Sequence, residues 1–240
     1  MRIEIWSDIA CPWCFIGKRR FETALAGFAH KDEVEVEWRS YQLDPSLPEH
    51  FEGSETDYLG QAKGMPADQL QQMLEHVRTQ ADGEGLAYDF ESLVVANSFT
   101  AHRFLHLAKS HGVMDAAKET LLSGHFEGGR NIGDHAYLAE VGQTLGIEPA
   151  DTLRVLASDD YAAEVKADIA EARELGVTGV PFFVIDRKYG ISGAQPSDAF
   201  AQVLDQVWAE NEKLTVLSPA GTGAEAEYPE GAACGPEGCG

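Results

Sequence analysis

Cys11 and Cys14 stand either side of Pro12 and Trp13, where an alternating apolar segment gives way to a helical one. Two thiols at this spacing have a definite chemical use. A cysteine at a helix N-terminus meets unpaired backbone N–H groups and the positive end of the helix dipole, which stabilise a thiolate at Cys11. In such settings thiol pKa values fall to about 3.5–7.5. Cys14, one turn further in, can close on Cys11 as a disulfide. Lys18, Arg19 and Arg20 follow in the next turn, a basic cluster that can add to anion stabilisation. For Arg19 and Arg20 a solvated helix face is the plainer reading. The alternatives for the cysteines are a pair of buried small residues or half of a zinc site.

A second element lies far along the chain, in Gly176-Val177-Thr178-Gly179-Val180-Pro181-Phe182. Proline cannot donate to a sheet ladder, so Pro181 belongs at the start of a strand. A cis Val180–Pro181 bond, the one kind of peptide bond for which cis is cheap, would free the backbone of Val180 to pair with an extended substrate. Lesser candidates are His102 and His106, four apart on one helix face, for which capping or packing is the simpler role. His125, Arg130 and Asp134 flank Gly128-Gly129 in a segment read as a loop bordering the site. Cys234 and Cys239 form a second pair near the C-terminus.

These groups need elements to hold them. Residues 2–7 alternate as a strand, 14–28 read as a helix and 34–41 alternate again, giving a β-α-β unit with a right-handed crossover. Helices follow from Pro66, from Asn97 to Gly112, from Asp134 to Gly146, from Pro149 to Leu156, and from Asp159 or Asp160 to Gly176. Each has the entry and exit residues of a helix. Phe182–Ile185 and Ile191–Gly193 read as two more strands, and Ser197 caps a last helix carrying Phe200, Val203, Leu204 and Val207. Beyond Ser218 the chain is rich in Gly, Ala, Pro and Glu and reads as a flexible tail.

Composition narrows the function. Against 18 Lys and Arg stand 40 Asp and Glu in 240 residues, a formal net charge of −22. Such acidity repels nucleic acid and anionic membrane surfaces. Four cysteines are too few for a disulfide scaffold at this length. The N-terminus has neither the basic region nor the apolar run of a secretory signal, so a cytoplasmic location is expected. In that compartment a Cys-x-x-Cys is a catalytic or metal-binding feature more often than a structural one.

The chain resembles the DsbA family of thioredoxin-fold proteins, and within it the cytosolic FrnE-like branch. The resemblance rests on Cys11-Pro12-Trp13-Cys14-Phe15-Ile16-Gly17-Lys18-Arg19-Arg20-Phe21-Glu22 and on Asn97-Ser98-Phe99-Thr100-Ala101-His102-Arg103. Thr178 to Phe183 and Ile191-Ser192-Gly193-Ala194-Gln195-Pro196 complete it, and it covers residues 1 to about 210. It implies an α/β thioredoxin fold with a large all-helical insertion. Residues 1–54 and 176–212 would form the thioredoxin unit, 55–175 the insert and 213–240 a tail. It implies a protein thiol–disulfide oxidoreductase or isomerase, with Cys11 as nucleophile, Cys14 as resolving thiol and Pro181 as the cis-proline. Pro12, Trp13, Val180 and Lys18 are expected to contact substrate. The expected partners are protein thiols and disulfides and a cytosolic thiol reductant, with no cofactor and no metal.

The resemblance also raises points of difference. Related proteins carry a buried acid ahead of the cysteines; here an ungapped count puts Ile5 there and a one-residue gap puts Glu4. Trp13 stands where periplasmic members have His, which implies a less strongly oxidising disulfide. Some FrnE-like proteins have a C-terminal cysteine pair, which implies that Cys234 and Cys239 exchange with Cys11–Cys14. An inert exposed pair and a zinc site formed by both pairs are the alternatives. The same branch includes 2-hydroxychromene-2-carboxylate isomerases and kappa-class glutathione transferases, so a glutathione-dependent small-molecule enzyme is the rival activity. A holdase-like chaperone is the rival of another class.

Overall fold

The first strand, β1 (Arg2–Ser7), is buried along nearly its whole length, because the sheet it centres is covered on both faces. The computed structural model describes residues 1–48 and 51–211, with the backbone of 234–235 and 238–239. β1 pairs in parallel with β2 (Glu35–Ser40) and antiparallel with β3 (Phe182–Ile185), and β3 pairs antiparallel with β4 (Tyr189–Ser192). The order is therefore β2-β1-β3-β4. Register places Ile5 between Trp38 and Phe183.

One face of the sheet lies under α1 (Pro12–Gly27) and α9 (Ser197–Asn211). There the Phe183 ring meets Phe200 at 4.6 Å and Phe21 at 5.4 Å between centroids. Each such ring, once fully buried, contributes about 1.5–3 kcal/mol. On the other face Trp6 and Val184 cluster with Ala172 and Val177, and the Trp6 indole donates to the Asp168 carbonyl at 2.8 Å. That carbonyl belongs to α8 (Ala162–Glu174). Its apolar side covers the sheet.

The remaining helices are α2 (Glu55–Lys63), α3 (Ala67–Gly83), α4 (Phe99–Ser110), α5 (Met114–Phe126), α6 (His135–Thr144) and α7 (Pro149–Leu156). Sequence periodicity misses α2 and α5. The short α2 is set by a capping box, in which the Ser54 hydroxyl accepts from Asp57 N–H at 3.1 Å and Asp57 accepts from Ser54 N–H at 2.9 Å. α4 is the central rod, burying Ala101, Phe104, Leu105 and Ala108. Near the C-terminus β5 (Cys234–Gly235) pairs with β6 (Gly238–Cys239), setting Cys234 opposite Cys239. The rest of the segment 213–240, read from sequence as a tail, lies outside the described residues. Among the described residues no helix is long and apolar enough to cross a membrane.

Candidate active site

Cys11 is the N-cap of α1 with Pro12 at the first helical position, so the missing proline N–H costs nothing there. Cys14 N–H returns to the Cys11 carbonyl at 3.0 Å, which winds both thiols onto the first turn. They are free thiols, 3% and 1% exposed. The segment between them is held from the insert side. Tyr88 O–H donates to the Pro12 carbonyl at 2.7 Å, and the Trp13 ring lies 6.0 Å from His76 of α3. On the opposite side, the Val180–Pro181 bond is cis, as expected, and the Cys11 thiol lies 3.5 Å from the Val180 carbonyl oxygen.

Two charged groups are buried beneath the thiols. Asp8 follows β1 and is 1% exposed. Its carboxylate accepts from Leu43 N–H at 2.8 Å and from Ala10 N–H at 3.2 Å, and lies 3.2 Å from His102 Nε2. These hydrogen bonds hold Asp8 below the usual carboxylate range despite its burial. Burial lowers His102, and among the described residues its other ring nitrogen has no hydrogen-bond partner. The second charge is Lys118 of α5, 1% exposed, its ammonium 5.2 Å from the Trp38 ring centroid. Burial pushes Lys118 down to about 8.

The dithiol titrates as a unit against these neighbours. The Cys11 S–H and the Lys118 cation draw Cys14 below the usual thiol range, although burial opposes them. A hydrogen bond to Cys14, burial and the nearby negative charges of Cys14 and Asp8 push Cys11 up. The two thiols thus share a hydrogen bond, and the Lys118 cation favours the anion at Cys14.

Cys11, Pro12 and Trp13 open into a cleft of about 640 Å³. Its walls are the segment 43–47, α2, α3 and the loop residues Val95 and Ala96. Leu47, Leu59, Met73, Leu74 and Val77 make it mainly apolar, while Glu55, Tyr58 and Lys63 bring polar groups from α2. Tyr58 O–H donates to Asp44 at 2.9 Å.

The structure relocates several candidates. Lys18, expected at the substrate surface, is 2% exposed and caged by Glu22, by Asp115 at 3.5 Å and by Glu119 at 3.0 Å. Its charge is spent inside the fold. Arg19 pairs with Glu22 and Glu119, and Arg20 with Glu84. Neither Ile5 nor Glu4 is the acid at the thiols. Ile5 lies in the α1 side of the core, and Glu4 is tied to Arg39 and Arg187; Asp8 takes the place. His106 pairs with Asp168 at 3.2 Å. His125 lies in the last turn of α5, not in a loop, and does line the cleft. Arg130 pairs with Glu140 and Asp134 caps α6, so neither serves the site. The side chains of Cys234 and Cys239 lie outside the described residues.

Sequence reading missed Asp8, Lys118, Tyr88 and Glu55. For Lys118 a signal existed: Met114, Lys118, Leu121 and His125 fall on one helical stripe, so the lysine shares a face with buried residues.

Residues 2–205 match the DSBA-like thioredoxin domain. The chain belongs to that family. Within this DSBA-like fold it is similar over its whole length to a probable DsbA oxidoreductase, SCO1869, from Streptomyces coelicolor. That likeness is 42% identity and a TM-score of 0.85, covering 100% of this chain and 98% of the other. It is 27% identical to the uncharacterized protein YwbO of Bacillus subtilis strain 168, covering 85% of this chain and 96% of YwbO. The cytosolic disulfide reductase DsbM of Pseudomonas aeruginosa shares the fold at a TM-score of 0.60 and 18% identity, covering 87% of this chain and 100% of DsbM. In this DSBA-like fold α1 carries the dithiol, α5 brings Lys118, and α2 and α3 contribute to the cleft walls.

Proposed function

We propose that the protein is a thiol–disulfide oxidoreductase acting on cysteine-bearing polypeptides, with Cys11 and Cys14 as its redox pair. The observation that carries this reading is the free dithiol at the N-terminus of α1, with Cys11 both lining an open cleft and lying 3.5 Å from the Val180 carbonyl. Cys11, its proton passed to the Cys14 anion, attacks one sulfur of a substrate disulfide, and the expelled thiolate takes that proton. Cys14 then attacks the Cys11 sulfur, releasing the second substrate thiolate and closing Cys11–Cys14. Two electrons pass from the dithiol to the substrate, and the reverse order oxidises a substrate dithiol.

The surroundings divide the work. Lys118 stabilises the anion at Cys14 before it resolves the mixed disulfide. Val180 offers a backbone acceptor to a strand laid beside Cys11. Trp13 between the cysteines favours the reductive or isomerising direction in a cytoplasm that keeps thiols reduced. The glutathione-dependent isomerase reading needs no second thiol and leaves Cys14 and Lys118 without a task.

Insulin or scrambled ribonuclease, mixed with the reduced protein, tests the proposal. Cys14→Ser is expected to trap a mixed disulfide at Cys11, and Cys11→Ser to abolish exchange. Exchange that survives Cys11→Ser defeats the reading.

A further inference from the structure

The cleft beside Cys11 is apolar in its walls, yet its charges are lopsided. Asp8, Asp44 and Glu55 line it; Lys63, exposed at the end of α2, is its one cation among the described lining residues, His125 being held neutral. Asp8 and Asp44 are already engaged, Asp8 with backbone N–H groups and His102, Asp44 with Ser46 and Tyr58. Glu55 differs from both. It is half-buried in the first turn of α2, faces the cleft, and has no hydrogen bond or ion pair among the described residues. Burial alone pushes it up to about 7, the mark of a carboxyl whose charge lacks compensation. A cation entering the cleft would supply that compensation, and a second carboxylate would worsen the deficit.

We propose that Glu55 is a specificity residue that selects cysteine-bearing peptides with an apolar residue and then a basic one beside the reacting cysteine, and discriminates against acidic ones. The apolar side chain lies against Leu59, Met73 and Leu74, and its basic neighbour pairs with Glu55. This rests on the disulfide-exchange reading of Cys11–Cys14 and adds the substrate class to it.

Three symmetric peptide disulfides test this: acetyl-Cys-Leu-Lys-amide, acetyl-Cys-Leu-Gln-amide and acetyl-Cys-Leu-Glu-amide, each oxidised to its dimer. The reduced full-length protein is mixed with each at pH 8 and low salt, quenched in acid, and the released peptide thiol quantified. No other reductant enters, since each Cys11–Cys14 dithiol delivers two electrons and reduces one peptide disulfide. Rates are divided by those of dithiothreitol with the same peptides, which removes their intrinsic reactivity. The Lys peptide is expected to outrun the Glu peptide about tenfold, as attraction and repulsion at one partly desolvated carboxylate imply. Glu55→Gln should shrink this ratio several-fold, and Glu55→Lys should invert it.

The long-range field of a chain with net charge −22 is almost unchanged by these substitutions, so a preference that persists in both variants overturns the role of Glu55. Equal normalised rates for all three peptides also overturn it while leaving disulfide exchange intact. Failure of every peptide to react, or reaction that survives Cys11→Ser, defeats the disulfide-exchange reading and this proposal together.

Discussion

Gly17 faces Pro181 so closely that a Cβ on residue 17 would lie 2.8 Å from the proline ring carbon Cγ. The same Cβ would sit 3.4 Å from that of Ala194. The absence of a side chain at position 17 lets α1 approach the loop that brings the Val180 carbonyl to Cys11. Gly17→Ala is expected to push that loop outward, costing about 1–3 kcal/mol as an overpacked core does. Urea unfolding measures the loss. The exchange rate should fall by more than stability alone accounts for when assayed well below the melting temperature. A variant with wild-type stability and rate would show that the loop yields freely.

Lys118→Met removes a buried cation that draws Cys14 down. The first ionisation of the dithiol should move up by about one unit, the size expected for losing a nearby opposite charge. Ultraviolet thiolate absorbance followed against pH reads this directly. A titration curve that superimposes on the wild type, in a variant with native circular dichroism, removes Lys118 from the mechanism.

His125 predicts a pH dependence of folding. Its ring is 2% exposed and burial lowers it to about 4. Between about pH 6.5 and 4 the unfolded chain binds a proton there that the folded chain does not. Stability from this group is therefore complete above the unfolded value and falls as pH drops through that window, by about 3 kcal/mol in total. Comparing unfolding free energies at pH 7.5 and 4.5, His125→Gln should lose less than the wild type by roughly that amount. Parallel losses in the two proteins would contradict it.

Arg103 is 7% exposed and donates to the carbonyls of Val155, Leu156, Ser158 and Asp160, joining α4 to the end of α7 and the link that follows it. Arg103→Leu strands several carbonyls and should cost roughly 2–4 kcal/mol in urea unfolding. Arg103→Lys should recover only part, because one ammonium cannot span four acceptors arranged for a planar fork.

The thioredoxin core was legible because its strands and helices have strong periods and plain end signals, and because Cys11, Cys14 and Pro181 are placed by chain-local geometry. The motif from Asn97 to Arg103 was visible too, and three of its polar residues hold other segments: Asn97 binds the Leu47 carbonyl, His102 meets Asp8, and Arg103 secures the α7–α8 link. What stayed hidden were burials of charge. Lys18 and Lys118 look like solvent-facing residues until three-dimensional packing closes over them, and Asp8 looks like a turn. α2 escaped because its nine residues bury no side chain fully, so no apolar period marks it.

Trp13 lies against His76 of α3, and Lys118 reaches the thiols from α5. In the proposed disulfide exchange, partner choice and electron affinity therefore both depend on helices lying between β2 and α8, while α1 carries the sulfurs. A chimaera that receives α2 to α7 from a relative would inherit both traits at once. Evolution within this fold could not retune one freely while holding the other still.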